Sequence, residues 1–253
     1  MIKIENTDVF GWEAAIRGMR NPMNSWNKSD TRTVDVPQMP RLDYYGNVME
    51  IIPAHEEVIV SGKKEEWTGV GENDLKLMKS LSKAGNDHGK FLRMINVTCD
   101  ITAPFYWWKE FDTYKVGTVA NSCSTMHKIA AKEFTLDDFS CEHLIDDGID
   151  CSIYPYAADA YYGPWNPTDI LATVVDILNE ARRLFIETKD KKYWWQMIQL
   201  LPSSYNQKRT IQLNYQVLKS MYFARRNHKL DEWHDLCEWI KTLPYFTEIV
   251  LED

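Results

Sequence analysis

The chain has 253 residues, enough for one large domain or two small ones with a real core. Apolar residues make up 44% and charged residues 26%, the balance of an ordinary soluble globular protein rather than a disordered one. A formal net charge of -8 argues against a general nucleic-acid binder, which needs a basic face, but leaves room for a local pocket that holds a small anion.

Taken in chain order, the first expected helix runs from Asp8 to Met19, with Trp12, Ile16 and Met19 on one face. Residues 20 to 70 are rich in Pro, Asn, Asp and Gly and read as loops, with Val58-Ile59-Val60 the best strand candidate. Leu75, Met78 and Leu81 predict a helix over about Asn73 to Ala84 that Gly85 ends. Ile95, Val97, Cys99 and Ile101 alternate with Asn96, Thr98 and Asp100, as on a half-buried strand. Pro104 suits the first turn of a helix expected from Phe105 to Lys115, with Phe105, Trp108 and Phe111 buried, and a short strand-like piece, Val116 to Asn121, follows. Residues 134 to 168 read as an acidic and aromatic loop region. Asn166 then caps and Pro167 opens a helix striped by Leu171, Val174, Leu178, Ala181 and Phe185. Asp190 is placed to cap another helix ending at Leu201-Pro202. A strand near Thr210 to Asn214 and helices at about 215 to 226 and 231 to 242 complete the series. Helices mixed with few strands predict an α/β or α+β single domain.

The five cysteines are odd in number and form no C-x-x-C, so they read as reduced thiols. With no apolar signal-like run in Met1 to Phe10 and no stretch of membrane-span length, the expectation is a cytoplasmic protein without a membrane partner. Cys141, Glu142, His143 and Cys151 lack a second ligand pair, and Asp146, Asp147 and Asp150 lack calcium-loop spacing, so no metal is expected. No phosphate-cradling Gly-rich loop, G-x-S-x-G or H-E-x-x-H occurs. Trp107-Trp108 and Trp194-Trp195 read as core and interface residues, one of each pair inward and its neighbour about 100° round the helix.

Two ungapped series of residues carry a resemblance. The first joins His88, the strand after it, Ala103-Pro104 and a helix closing at Lys115. The second joins Leu201-Pro202, Asn214, Leu218 and Arg225. Together they resemble the flavin-dependent thymidylate synthase family, the thymidylate synthase complementing proteins, over residues 73 to 245. Residues 1 to 72 diverge. The resemblance implies transfer of a methylene group and hydride to a deoxyuridine nucleotide (dUMP to dTMP), with FAD as cofactor and NADPH and folate as co-substrates. It also implies a central twisted sheet flanked by helices, and a homotetramer whose site is built from several chains.

Carried over by position, Arg225 and Ser124 are the catalytic candidates. His88, Lys115, Asn121 and Asn214 would hold the cofactor, and Glu110, Thr118, Ser124 and Arg225 the substrate. The departures concern charge. Thr113, Tyr114 and Lys115 stand where the family has Arg-His-Arg, Glu110 where it has Gln, and Thr118 where it has Ser. Met126, Ile198 and Gln216 replace three further arginines. Lysine cannot make the planar two-pronged contact of arginine, and each charged hydrogen bond lost is worth roughly 1.5–3 kcal/mol. Lys128, Lys208 and Arg209 are the cations available to substitute. Structural roles compete with these assignments: Asn214 sits where a helix cap is expected, Arg225 near a helix C-terminus, and His88 in a loop after a helix. The alternative to an enzyme is a catalytically degenerate member that binds a nucleotide or a protein partner. A related flavin or nucleotide reaction on another substrate is a third reading.

Overall fold

The computed structural model describes residues 2–31, 39–42, 48–52, 69–146 and 166–252. They fall in two compact units, one of Met1–Gly11 with Arg93–Thr247 and one of Trp12–Leu92 with Glu248–Asp253. The strand candidate at 58–60 and the loop portion 147–165 lie outside the described residues.

The larger unit is built on a four-stranded sheet in the order β1 (Lys3–Phe10), β4 (Asn96–Pro104), β6 (Asn206–Asn214), β5 (Val119–Ser122), with every neighbouring pair antiparallel. The mixed helix-and-strand expectation holds, in its α+β form. Alternation makes β4: Val97, Cys99, Ile101 and Ala103 are all at most 1% exposed, and the residues between them are half-buried. Burial pushes the Cys99 thiol up to about 12, so it is inert at neutral pH. The strand runs three residues past its predicted end, because Ile101 to Pro104 continue the ladder with Asn206 to Arg209. β1 corrects the reading of Asp8 to Phe10 as helix. These residues pair with Asn96 to Thr98, and the chain turns at Gly11. Gly11 has φ +93°, and a Cβ there would stand 2.1 Å from the Met94 carbonyl oxygen, so only glycine fits.

Helix α3 (Phe105–Phe111) follows β4 directly, with Pro104 as its N-cap, and stops four residues before the predicted Lys115. The predicted division of its tryptophans is also corrected. Both Trp107 and Trp108 are buried. Trp107 meets Trp108, Phe111 and Trp233 at ring separations of 4.9, 5.2 and 4.9 Å, and Trp108 donates its indole N–H to the Gln207 carbonyl at 2.9 Å. The second pair behaves as predicted, with Trp194 packed on the core and Trp195 exposed. The strand β5 begins at Val119 rather than Val116, and a one-turn helix α4 (Thr125–Lys128) follows it.

Helix α5 (Pro167–Thr188) is the predicted amphipathic helix. Leu171, Val175, Leu178 and Ala181 bury against Ile129, Phe134, Phe139 and Met197, the last from α6 (Lys191–Leu200). Asn166 accepts the amide N–H groups of Thr168 and Asp169, at 2.8 and 3.4 Å. Asn166→Ala is expected to lower stability by about 1 kcal/mol in denaturant titration, while Asn166→Ser keeps most of it. Helices α7 (Tyr215–Arg225) and α8 (Asp231–Lys241) close the unit with Tyr215, Leu218, Met221, Trp233, Leu236 and Ile240 buried.

The smaller unit holds α1 (Trp12–Arg20), α2 (Glu72–Lys83) and a two-stranded ladder of β2 (Met39–Leu42) with β3 (Val48–Ile52). Trp12, Ile16 and Met19 are buried on one face of α1, as its periodicity predicts. Its polar centre is an ion pair between Arg20 and Asp74, 4% and 0% exposed, at 2.6 Å. Among the described residues no helix is long and apolar enough to cross a membrane.

Candidate functional site

Half of the predicted site residues, Lys115, Thr118, Asn121 and Ser124, fall on one stretch of the larger unit, the turn after α3, β5 and the start of α4. Lys115 is exposed in the turn, and Asn121 is exposed in β5 opposite Thr210. Between them Gly117, with φ +77°, lets the chain pass close to α7. A Cβ there would lie 3.1 Å from Val217 and 3.2 Å from the Asn214 side-chain nitrogen. Asn214 is committed as the N-cap of α7, its oxygen accepting the Val217 amide N–H at 3.1 Å, so the structural role read from the sequence is real. The Thr118 hydroxyl is buried and has no hydrogen-bond partner among the described residues. A buried polar group in that condition costs free energy until something pairs with it. Ser124 is exposed and caps α4 through the His127 N–H at 3.1 Å.

Ser124 opens onto a cavity of about 320 Å³ lined also by Thr102, Lys128, Lys132, Tyr205 and Lys208. Three ammonium groups, two of them four residues apart and the third from β6, thus edge one cleft. Their charges are unequally spent. Lys132 pairs with Asp138, and Lys208 reaches Asp100 at 3.1 Å and Glu5 at 3.7 Å. Among the described residues no carboxylate lies within ion-pair distance of Lys128. Asp100 is held down to about 2 by hydrogen bonds from Thr210, Asn6 and Lys208, so it is fully ionised at neutral pH. Two of the three substitute cations read from the sequence, Lys128 and Lys208, therefore share the Ser124 cleft. The third does not. Arg209 stacks over Trp108 at 4.2 Å, pairs with Asp112 at 2.8 Å and edges a separate cavity of about 240 Å³ with Lys109 and Ser203.

Arg225 ends α7 and is engaged on all sides described. Its Nη1 donates to Glu110 at 2.7 Å and its Nε to the Tyr114 hydroxyl at 2.9 Å. Its guanidinium lies over the Trp233 ring at 4.6 Å and near that of Tyr114 at 5.6 Å. The same Glu110 oxygen accepts the Trp233 indole N–H at 2.9 Å and lies 3.2 Å from His228 Nε2. Glu110 and Tyr114, two of the departures noted in the sequence, are thus what the retained arginine grips. Their spacing of four residues was the available signal. His228 and Trp233 were not foreseen, because nothing in the sequence links α8 to this turn.

His88 is exposed in the smaller unit, its amide N–H donating to the Gly85 carbonyl at 3.1 Å. Lys115, Asn121 and Asn214 line neither of the two cavities above. Lys115 and Asn121 are exposed hydrogen-bond donors on this stretch.

No family model and no curated protein matches this sequence. Solved structures do. Thymidylate synthase X from Helicobacter pylori, crystallised with FAD and dUMP, superposes over 100% of this chain and 98% of its own, with a TM-score of 0.61 at 14% identity. A second structure of that enzyme with the same ligands gives 0.60 at 15% identity, over 99% and 98%. The chain has the fold of the flavin-dependent thymidylate synthases. The UMP/dUMP methylase PolB from Streptomyces cacaoi, bound with 5-Br dUMP, shares this thymidylate synthase fold over 98% of the present chain and 94% of its own, with a TM-score of 0.51 at 15% identity.

Proposed function

We propose that this chain binds a phosphorylated pyrimidine nucleotide in the Ser124 cleft and serves a flavin-dependent methylation of the dUMP-to-dTMP kind. The observation that carries the reading is the cleft itself, where Ser124 meets Lys128 and Lys208 on a fold shared end to end with enzymes crystallised with FAD and dUMP. Lys128 has charge to spare for a phosphate, and Lys208 adds a second donor from β6. Point-charge lysines thereby take over what the family does with arginines, at some loss of geometric selection. Lys115, Asn121 and Asn214 of the larger unit would hold FAD, which once reduced by NADPH would supply the hydride, and folate is the expected methylene donor. The assembly expected from the resemblance is a homotetramer in the cytoplasm.

The closure of Arg225 on Glu110 and Tyr114 favours a second reading, in which the fold persists as a nucleotide-binding module without catalysis. Calorimetry with FAD and with dUMP, paired with complementation of a thymidine-requiring strain, separates the two. Growth without thymidine is the enzyme's result. Binding of dUMP with no growth and no flavin uptake is the module's. Absence of both FAD and dUMP binding would sink the proposal altogether.

A further inference from the structure

We propose that Arg225 is a positioning residue for the turn that carries Lys115 and Thr118, holding it through Tyr114 and Glu110 rather than contacting a ligand. The turn leaves α3 at Phe111, and its first bonds are local: the amide N–H groups of Asp112, Thr113 and Tyr114 donate to the carbonyls of Trp108, Glu110 and Phe111. Beyond Tyr114 the chain is open to solvent. Lys115 is exposed and Val116 is 90% exposed. The anchors that reach across from α7 and α8 are side chains, and they converge on Glu110 and Tyr114. Arg225 supplies two of the bonds, and Trp233 Nε1 supplies a third to the same carboxylate oxygen that Arg225 holds. His228 stands at 3.2 Å from that oxygen as well.

With Nε and Nη1 bonded to Tyr114 and Glu110, Arg225 has only Nη2 without a bond among the described residues. Its side chain is 18% exposed, its charge is met by Glu110, and its flat face is covered by the Trp233 ring. One oxygen of the Glu110 carboxylate is engaged too, taking bonds from Arg225 and Trp233 with His228 Nε2 3.2 Å away. The cluster therefore reads as a finished tie, not as a vacant grip. What it controls is the register of the next residues. Tyr114 is held directly, Lys115 is its neighbour, and Gly117 then passes within van der Waals reach of Val217 and Asn214. Release of Tyr114 would free Lys115 and Thr118 together.

The test uses the full chain with three separate variants, Arg225→Ala, Tyr114→Phe and Glu110→Gln. One readout is the rate of trypsin cleavage after Lys115 under native conditions, and the other is dUMP affinity by calorimetry. Each variant is expected to speed that cleavage by about tenfold, the factor of roughly one charged hydrogen bond, while far-UV circular dichroism still shows a cooperative melt. Arg225→Lys should recover part of the protection. Tyr114→Phe removes only a hydroxyl, so it keeps the test valid should Arg225→Ala fold poorly. Cleavage after Lys115 at the wild-type rate in all three variants overturns the inference. So does a loss of dUMP binding confined to Arg225→Ala, which would make Arg225 a ligand contact. The ligand arm rests on the proposed nucleotide function, but the proteolytic arm does not, so a wild-type chain that ignores dUMP leaves the positioning question decidable.

Discussion

Replacing Asp74 by Ala is expected to cost about 3–5 kcal/mol, enough to unfold the smaller unit at ordinary temperatures. Asp74 is fully buried, and its two oxygens receive Arg20 Nε at 2.6 Å, the Ser29 hydroxyl at 2.7 Å, the Thr31 hydroxyl at 2.7 Å and the amide N–H groups of Asp30 and Thr31 at 3.2 and 3.0 Å. Removal of the carboxylate strands a buried guanidinium together with those donors. Arg20 keeps only its bonds to the carbonyls of Ser25 and Lys28. Burial alone would raise the Asp74 carboxyl, but the bonds from Ser29, Thr31 and Arg20 outweigh it and hold the group below the usual aspartate range. The sign follows from that depression. The stabilisation is complete above the unfolded-state value of about 3.9 and disappears as pH falls through the lower folded value. Thermal melts of wild type and Asp74→Asn should therefore differ most near neutral pH and converge in strong acid. A gap that stays constant down to pH 2 would contradict the assignment.

The second large effect concerns affinity. Lys128→Ala is expected to weaken dUMP binding by about tenfold to a hundredfold, and the Lys128→Ala/Lys208→Ala double variant by about a hundredfold to ten-thousandfold, at roughly 1.5–3 kcal/mol for each charged contact. Deoxyuridine, which lacks the phosphate, should bind both variants as it binds the wild type. The Lys208 change leaves Asp100 with its bonds from Thr210 and Asn6, at 2.6 and 2.9 Å, so the sheet is expected to survive it. Titration calorimetry at two salt concentrations provides a further check, because a phosphate contact with an exposed ammonium weakens as ionic strength rises. Equal losses for nucleotide and nucleoside would place the lysines away from any phosphate.

How much of this could be read from the chain depends on whether local pattern or distant packing decides each element. The alternation of Ile95 to Ile101 and the stripe of α5 are local; the first is present as read, and the second keeps Leu171, Leu178 and Ala181 but buries Val175 in place of Val174. The caps Asn166, Asp190 and Asn214 are local too, and each accepts the amide predicted of it. The errors arise where partners far along the chain decide. Asp8 to Phe10 look helical in isolation, yet β4 offers them a ladder, and pairing outweighs a weak helical periodicity. Helix α3 stops at Phe111 because Glu110 and Tyr114 are drawn toward α7 and α8, and no window around residues 105 to 115 contains Arg225 or Trp233. The site shows the same division. Motif comparison pointed to Ser124, whereas Lys128 and Lys208 were only cations available to substitute, and their gathering round one cleft depends on how β6 meets α4. The gripping of Arg225 depended on charges the motif comparison could only record as mismatches.

The order of strands in the larger sheet has a kinetic consequence. Its central ladder joins Asn96 to Asn214 and Pro104 to Asn206, segments on the order of 100 residues apart, so the chain must close a long loop before that pairing returns any energy. The α5–α6 hairpin lies within that loop and needs no such closure. Refolding should thus start with helical signal in the microsecond range and finish, as β4 finds β6, on a scale of milliseconds to seconds.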